Sequence, residues 1–489
     1  ILETSGADLL VYGMGEQPLK EILKLLEKGV PFHQLTMVKQ TAYIRDQSKD
    51  VPKNKNWNDI TINSHQSCLE DKKAFAANFK QVEQESNKVI ANRIIQNIAE
   101  DNLIINPPFQ TMTEKEIDTS FDLPFTRLPH PKYKKRGTIP AHEMIKFSIN
   151  MHRGCFGGCS FCTISAHQGK FIASRSQKSI LNEVDQVVDM PGFKGYISDL
   201  GGPSANMYKM KGVVQETCDK CIAPSCIHPV VCSNLDTSHS QITEIYRKVD
   251  KHPKVKKAFI GSGIRHDLLT KSYNKNADTS INDYMVQLLT RHVSGRLKVA
   301  PEHTSADTLK IMRKPSFAHF KEFKKQFDDI DRKFGLNQQL VPYFISSHPG
   351  CKEEDMVNLA IETKELGFKL EHVQDFTPTP MTVATVMYYS GYHPYTLKQY
   401  YTPKSKTEKI NQHRFFFWYK RENQNWIRKR LNDAKRPDLL KRLLGSDQKE
   451  LNQQVKVGNK VEPKSSERFQ RRKNKTGRIN NTEKKRKRQ

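Results

Sequence analysis

Seven of the nine cysteines fall in two tight groups, and the first group dictates how the backbone around it must fold. Cys155, Cys159 and Cys162 form a C-x3-C-x2-C pattern inside the stretch from Arg153 to Cys162, interleaved with Gly154, Gly157 and Gly158. Three thiolates in one short loop can hold three irons of a cubane while the fourth iron stays open to an outside ligand. A structural zinc closes its shell with four protein ligands, so three cysteines with no obvious fourth favour the open cluster. The glycines can take positive φ and let the chain turn tightly around such a group. The loop follows a strand-like run, Ile145 to Asn150, and precedes a helical pattern from near Ser176.

The second group is Cys218-x2-Cys221-x4-Cys226-x5-Cys232, with Pro224 and Pro229 interrupting any helix. Four soft ligands that close together suit either a tetrahedral zinc or an auxiliary iron–sulfur cluster, and spacing does not choose between them. Free thiols or a redox disulfide are the remaining alternative. Only Cys68 and Cys351 stand alone. Cysteines clustered this way, without a secretory signal, point to metal ligation in a reducing, cytoplasmic setting and not to a disulfide framework.

The chain has 489 residues, room for about three domain-sized units at ~150 residues each. No apolar run approaches the ~18 residues of a membrane span, and Ile1-Leu2-Glu3-Thr4 lacks a signal-type start, so neither insertion nor secretion is expected. The first residue is not Met, so residues are expected upstream or removed by processing. Net charge is +27, and Asn452 to Gln489 alone holds fourteen Lys or Arg against three Glu. That tail, with runs such as Lys484 to Arg488, is expected to be disordered and to attract RNA, ribosomes or another polyanion by counterion release. The alternative is a tail that only solubilises.

Short apolar runs at 145–151, 195–200, 256–261, 297–300, 339–345 and 370–374 alternate with amphipathic stretches such as Ser179–Val188 and Asp355–Thr363. This is the βαβ rhythm of a parallel sheet, and six strands suit a partial barrel with ligands beyond the carboxyl ends. Ala7 to Leu26 reads as one strand and one helix, the last unit of a doubly wound domain. Lys72 to Glu100 reads as helix, and the proline-rich 106–141 as an extended wrap. Residues 396–445 read as mostly helical, with five consecutive aromatics, Phe415 to Tyr419, that suit packing better than a nucleic-acid stacking platform.

The cysteine signature, with Phe161 before its last cysteine, resembles radical S-adenosylmethionine (SAM) enzymes, and the surrounding stretches are similar to the YgiQ-type branch. Those stretches are Ser198 to Pro203, Gly261 to Arg265, Val299 to His303, Ser346 to Gly350, Gln374 to Pro380 and Arg414 to Lys420. The resemblance spans roughly 7–444. It implies an α/β fold with a partial (β/α)6 TIM-like radical SAM core over 143–392, carrying a cysteine-rich insert at 216–234. Before it would come a Rossmann-like remnant at 1–32, resembling cobalamin-binding units, and an irregular connection at 33–142. After it would come a helical extension at 393–446 and the basic tail at 447–489. No cobalamin-ligating signature is present, so that cofactor is not expected.

The resemblance further implies that Cys155, Cys159 and Cys162 ligate a 4Fe–4S cluster whose open iron chelates SAM, giving a 5′-deoxyadenosyl radical on reduction. Phe161 would touch adenine, and the backbone of Gly201 and Gly202 would hold the methionine amino group. Pro203 stands where the family's motif usually has an acidic residue, so only backbone recognition carries over. Ser262 and Arg265 would meet the ribose and carboxylate, and Glu302 a cofactor group. His303, His348 and Asp375, at strand ends, are substrate candidates, each with a structural polar role as its alternative. An electron donor such as a flavodoxin or ferredoxin is implied, the substrate is open, and the basic tail suggests RNA. The competing reading is a non-catalytic, metal-stabilised RNA-binding protein on the same fold.

Overall fold

Residues 33–142, expected to be irregular, carry most of a five-stranded sheet. Its strands are β1 (Leu10–Val11), β2 (Thr41–Asp46), β3 (Asp59–Ile62), β4 (Arg93–Ile98) and β5 (Asp101–Ile105), in the order β1-β2-β5-β4-β3. Only β3 and β4 pair in parallel, joined across the helix Lys72–Ser86. That helix begins on the Asp71 cap and stops well short of Glu100, because the isoleucine-rich run that follows is better satisfied as β4. β1 pairs antiparallel with β2, so Ala7 to Leu26 joins a mixed sheet. Within the proline-rich stretch, Thr113 and Glu116 form a capping box on the helix Glu114–Phe121. Pro140 opens a further helix, Pro140–Ile145, which takes over the start of the strand expected at 145.

The computed structural model describes residues 1–445, so the basic tail lies outside the described residues. The chain divides into two compact units, 1–417 and 418 onward. In the first, each of the six apolar runs holds strand structure. The segments are β6 (Ser148–Asn150), the hairpin-like pair β7 (His152–Arg153) and β8 (Ala173–Ser174), β9 (Tyr196–Ile197), β10 (Asp199–Gly201), β11 (Lys257–Ala258), β12 (Arg296–Glu302), β13 (Gln339–Ser346) and β14 (His372–Asp375). β6 pairs with β10, β9 with β11, and β12 with β13 and β13 with β14, all in parallel. A lone parallel bridge, Ile264 to Val299, links the middle segments to β12. The fold is mixed α/β, and no closed barrel forms among the described residues.

The intervening helices cover these strands with apolar faces. Ser176 caps Gln177–Val188, whose Ile180, Val184 and Val187 are buried. Phe317–Phe334 buries Phe317, Phe320, Phe323 and Phe327, each worth on the order of 2 kcal/mol in apolar burial. Lys406–Phe416 packs on Glu353–Glu365, with Phe415 and Phe416 fully buried, so these two rings are core and not a stacking platform. The second unit holds the helices Arg421–Asp433 and Pro437–Leu444, packed together and burying Ile427, Leu431, Leu439 and Leu443. No described helix is long and apolar enough to cross a membrane.

Candidate functional site

The chain leaves β7 at Arg153, passes through the three cysteines and enters the short helix Ile164–Gln168. Gly154 and Gly158 sit at φ +91° and +58°, where side chains are strained, and a Cβ on either would overlap the carbonyl oxygen of Phe171 or Pro224. Gly157 has no positive φ. Its bare Cα instead leaves room for the Arg265 guanidinium. Gly154→Ala is therefore expected to cost about 1–3 kcal/mol, read as a lower urea midpoint.

Cys155 is buried, and Cys159 and Cys162 are half-buried. Burial, aided by the neighbouring thiols, pushes Cys155 up and Cys162 up to about 12. Thiols that resist ionisation alone are a fitting donor set for a cationic group that would hold them as thiolates. A narrow cleft reaches Cys159, Ser160 and Cys162 from outside.

Arg265 is clamped on three sides. Its backbone N–H donates to Asn206 Oδ1 at 2.8 Å, and Asn206 Nδ2 donates back to the Arg265 carbonyl at 3.1 Å. Its guanidinium donates to both oxygens of the fully buried Asp267, through Nε to Oδ1 at 3.0 Å. Its remaining nitrogen donates to Cys159 Sγ at 3.4 Å. Although burial alone raises an Asp, the Arg265 charge holds Asp267 well below the carboxylate range. Arg265 thus faces the thiol loop and its own carboxylate partner.

The other strand ends are equally specific. Asp199 on β10 accepts from the backbone of Gly261 and Ser262 at 2.8 and 3.1 Å and also from the Ser262 hydroxyl, so Ser262 is engaged within the protein. A Cβ on Gly202 would overlap the His152 ring, which is fully buried with neither nitrogen in hydrogen-bond geometry. Desolvation lowers His152 to about 4. Glu302 ends β12 just after a bulge, where Pro301 has no N–H to donate. It takes φ +71°, is buried, and has one carboxylate oxygen without a partner. Burial raises its carboxyl, against the opposing charges of Lys314, 3.9 Å away, and Arg265.

His303 accepts the backbone N–H groups of Thr304 and Ser305 at Nδ1, at 2.9 and 3.0 Å, leaving Nε2 as its donor. Nε2 lies 3.4 Å from Cys351 Sγ, whose thiol donates to Gln412 Oε1 at 3.3 Å. His303 is therefore tied into a buried internal chain. His348 donates from Nδ1 to the Pro349 carbonyl at 2.8 Å, so its Nε2 accepts from Ser160 Oγ at 3.4 Å. Its ring also meets Phe161 edge-on, with centroids 5.9 Å apart, so His348 braces the cysteine loop. Asp375 accepts from Ser346 and from His413 Nδ1, the latter at 3.0 Å, which hold its carboxyl below the usual range against the effect of burial.

The second cysteine group packs on the first. Cys226 N–H donates to the Phe156 carbonyl at 3.0 Å, and Ser225 Oγ donates to the Gly157 carbonyl at 2.8 Å. Lys170 Nζ donates to the Ala223 carbonyl at 2.8 Å and lies 3.6 Å from Cys221 Sγ. Burial lifts Cys226 to about 12, with Lys170 pulling it back. Cys232 is exposed. Among the described residues, no three His, Cys, Asp or Glu side chains stand close enough together to hold one metal ion directly.

Comparison with known proteins places the chain in a family. Residues 1–148 match the family model "Radical SAM N-terminal", and residues 371–489 match a domain of unknown function, DUF3362. A UPF0313 protein of Porphyromonas gingivalis is 56% identical over 91% of this chain and 70% of its own length. The chain belongs to the UPF0313 family of YgiQ-type radical SAM proteins. A second UPF0313 protein, from Bacteroides thetaiotaomicron, is 54% identical over 92% of this chain and 74% of its own length. The radical SAM methyltransferase TsrM from Kitasatospora setae, solved with cobalamin and a 4Fe–4S cluster, overlays at TM-score 0.40 and 13% identity. That overlay covers 79% of this chain and 56% of TsrM, a likeness too slight to transfer fold detail or ligands.

In this UPF0313 chain, four polar residues that matter to the site escape a reading of the sequence alone: Asp199, Asn206, Asp267 and His152. Asp267 stands two places after Arg265, a visible pairing signal. Asp199 and Asn206 carry no such signal, because their partners are distant in sequence.

Proposed function

We propose that this chain is a radical SAM enzyme on a partial (β/α)6 TIM-like core, with Cys155, Cys159 and Cys162 holding a 4Fe–4S cluster. The observation that carries this reading is the set of three thiols on one glycine-turned loop, with Arg265 donating to Cys159 sulfur. When bound, the cluster and SAM supply a one-electron reductive cleavage that yields a 5′-deoxyadenosyl radical.

The chain's own residues orient, desolvate and set charge. Phe161, braced by His348, is the adenine contact, and the Gly201 and Gly202 backbone binds the methionine amino end. Glu302, buried with a free oxygen, binds a cofactor group. Arg265 acts on Cys159 and not on the SAM carboxylate, because Asp267 already takes two of its nitrogens. Ser262 likewise positions Asp199 and the Gly201 turn in place of a ribose contact. His303 is an internal brace. Asp375 with His413, both only partly covered, is the pair left for substrate.

In this reading Cys218, Cys221, Cys226 and Cys232, which do not stand close enough to share one ion as placed, would draw together around zinc or an auxiliary iron–sulfur cluster, in a cytoplasmic protein served by a flavodoxin- or ferredoxin-type donor. The basic tail recruits RNA or ribosomes. Anaerobic iron and zinc analysis, EPR of the reduced protein with and without SAM, and chromatography for 5′-deoxyadenosine test the proposal. About four irons for the first site, extra iron or zinc for the second cysteine group, a SAM-shifted signal and deoxyadenosine are expected. RNA binding with zinc alone, and no SAM cleavage after iron reconstitution, would favour the non-catalytic reading.

A further inference from the structure

A cavity of about 780 Å³ lies between the N-terminal sheet and the helix that follows the cysteine loop. Its size falls in the ~300–1,000 Å³ range of small-molecule sites. One wall is a single face of the sheet, where alternation places Ile44 on β2, Ile94 on β4, and Leu103 and Ile105 on β5 side by side. The facing wall is Thr163 and Ala166, directly after Cys162, with Met381 closing one side. Ser86, Ala166 and Met381 also wall the cleft that reaches Cys159 and Cys162, so the two spaces adjoin.

The charge of this lining narrows what can enter. Glu3 and Glu85 are its charged side chains, and no Lys or Arg among the described residues lines it. A nucleic-acid strand needs cationic partners for its phosphates, which this cavity does not offer.

We infer that this cavity binds a small, largely apolar molecule that carries no anionic group, with one end toward the cleft of Cys159 and Cys162. That the occupant is the substrate of the radical reaction rests on the function proposed above; that the cavity binds it does not.

N-phenyl-1-naphthylamine, small, largely apolar and without an anionic group, is the probe. Fluorescence titration of the full chain, without iron or SAM, is expected to show saturable binding to one site, insensitive to salt. Ala166→Trp, which fills the space next to the thiols, should weaken binding at least about tenfold. Met381→Trp, at a half-exposed position, gives a second plug should the first disturb folding. Non-saturable binding, equal affinity in both Trp variants, or displacement of the probe by an RNA oligonucleotide would overturn the inference. Because none of these readouts uses the cluster, probe binding without deoxyadenosine production rejects the enzyme reading alone, and the converse rejects the cavity alone.

Discussion

Lowering the pH from neutrality to about 5 is expected to remove a large share of the folding free energy, seen as a steep fall in the urea midpoint. Five of the six fully buried histidines among the described residues carry most of the effect, and the sixth, His292, is lowered by burial as well. Desolvation lowers His152 and His239 to about 4, and His266, His303 and His348 to about 3, from an ordinary value of 6.5. Each is neutral in the folded chain and takes up a proton once unfolded. Their contribution is therefore fully present above 6.5 and is lost as pH falls from there toward the folded values. By about pH 5 each histidine favours the unfolded state by on the order of 2 kcal/mol. Five together approach the ~5–15 kcal/mol net stability of an ordinary domain. Glu302 and Glu21, raised by burial, work the other way, but they are two groups against five. Asp267, held low, withdraws support only in stronger acid. A urea midpoint that stays level from neutral pH to about 5 would refute this account.

What the sequence discloses is chemistry that depends on spacing and on local apolar runs. The cysteine loop is legible because three thiols within eight residues lie close together without help from elsewhere. The runs that become β13 and β14 are legible because apolar stretches end at Ser346-Ser347-His348-Pro349 and at Asp375. The mixed sheet is not, because β2 and β4 each find their register on β5, and β1 reaches β2 across the helix Glu16–Glu27. The same limit governs the site. Arg265 reads as a strand-end cation free to meet a ligand, and its actual direction is decided by the missing side chain of Gly157 and the carboxylate of Asp267. His303 reads as a substrate contact until Cys351 and Gln412 are placed beside it. The two cysteine groups look separate in sequence, and only the Ser225 and Cys226 hydrogen bonds to the first loop's backbone join them.

Asp267→Asn is expected to destabilise the metal-free chain by roughly 3–5 kcal/mol, the cost of removing one partner from a buried ion pair. Arg265 and Asp267 are both buried, so the guanidinium left behind has no water to turn to. The other side chain that its nitrogens reach is Cys159, whose sulfur is anionic only as a thiolate. Cluster-bound thiolates would supply that negative charge, so the penalty should shrink after iron reconstitution. Urea unfolding of the variant with and without iron measures the difference directly. The reciprocal change, Arg265→Lys, keeps a charge but cannot reach Asp267 and Cys159 with one planar fork. Losing an N–H donor to a ligand sulfur makes reduction of a cluster harder, so the midpoint potential from an EPR-monitored titration should move to more negative values. An unchanged potential in Arg265→Lys, together with equal destabilisation of the iron-free and iron-loaded Asp267→Asn chains, would show that the pair holds the fold and has no part in tuning Cys159.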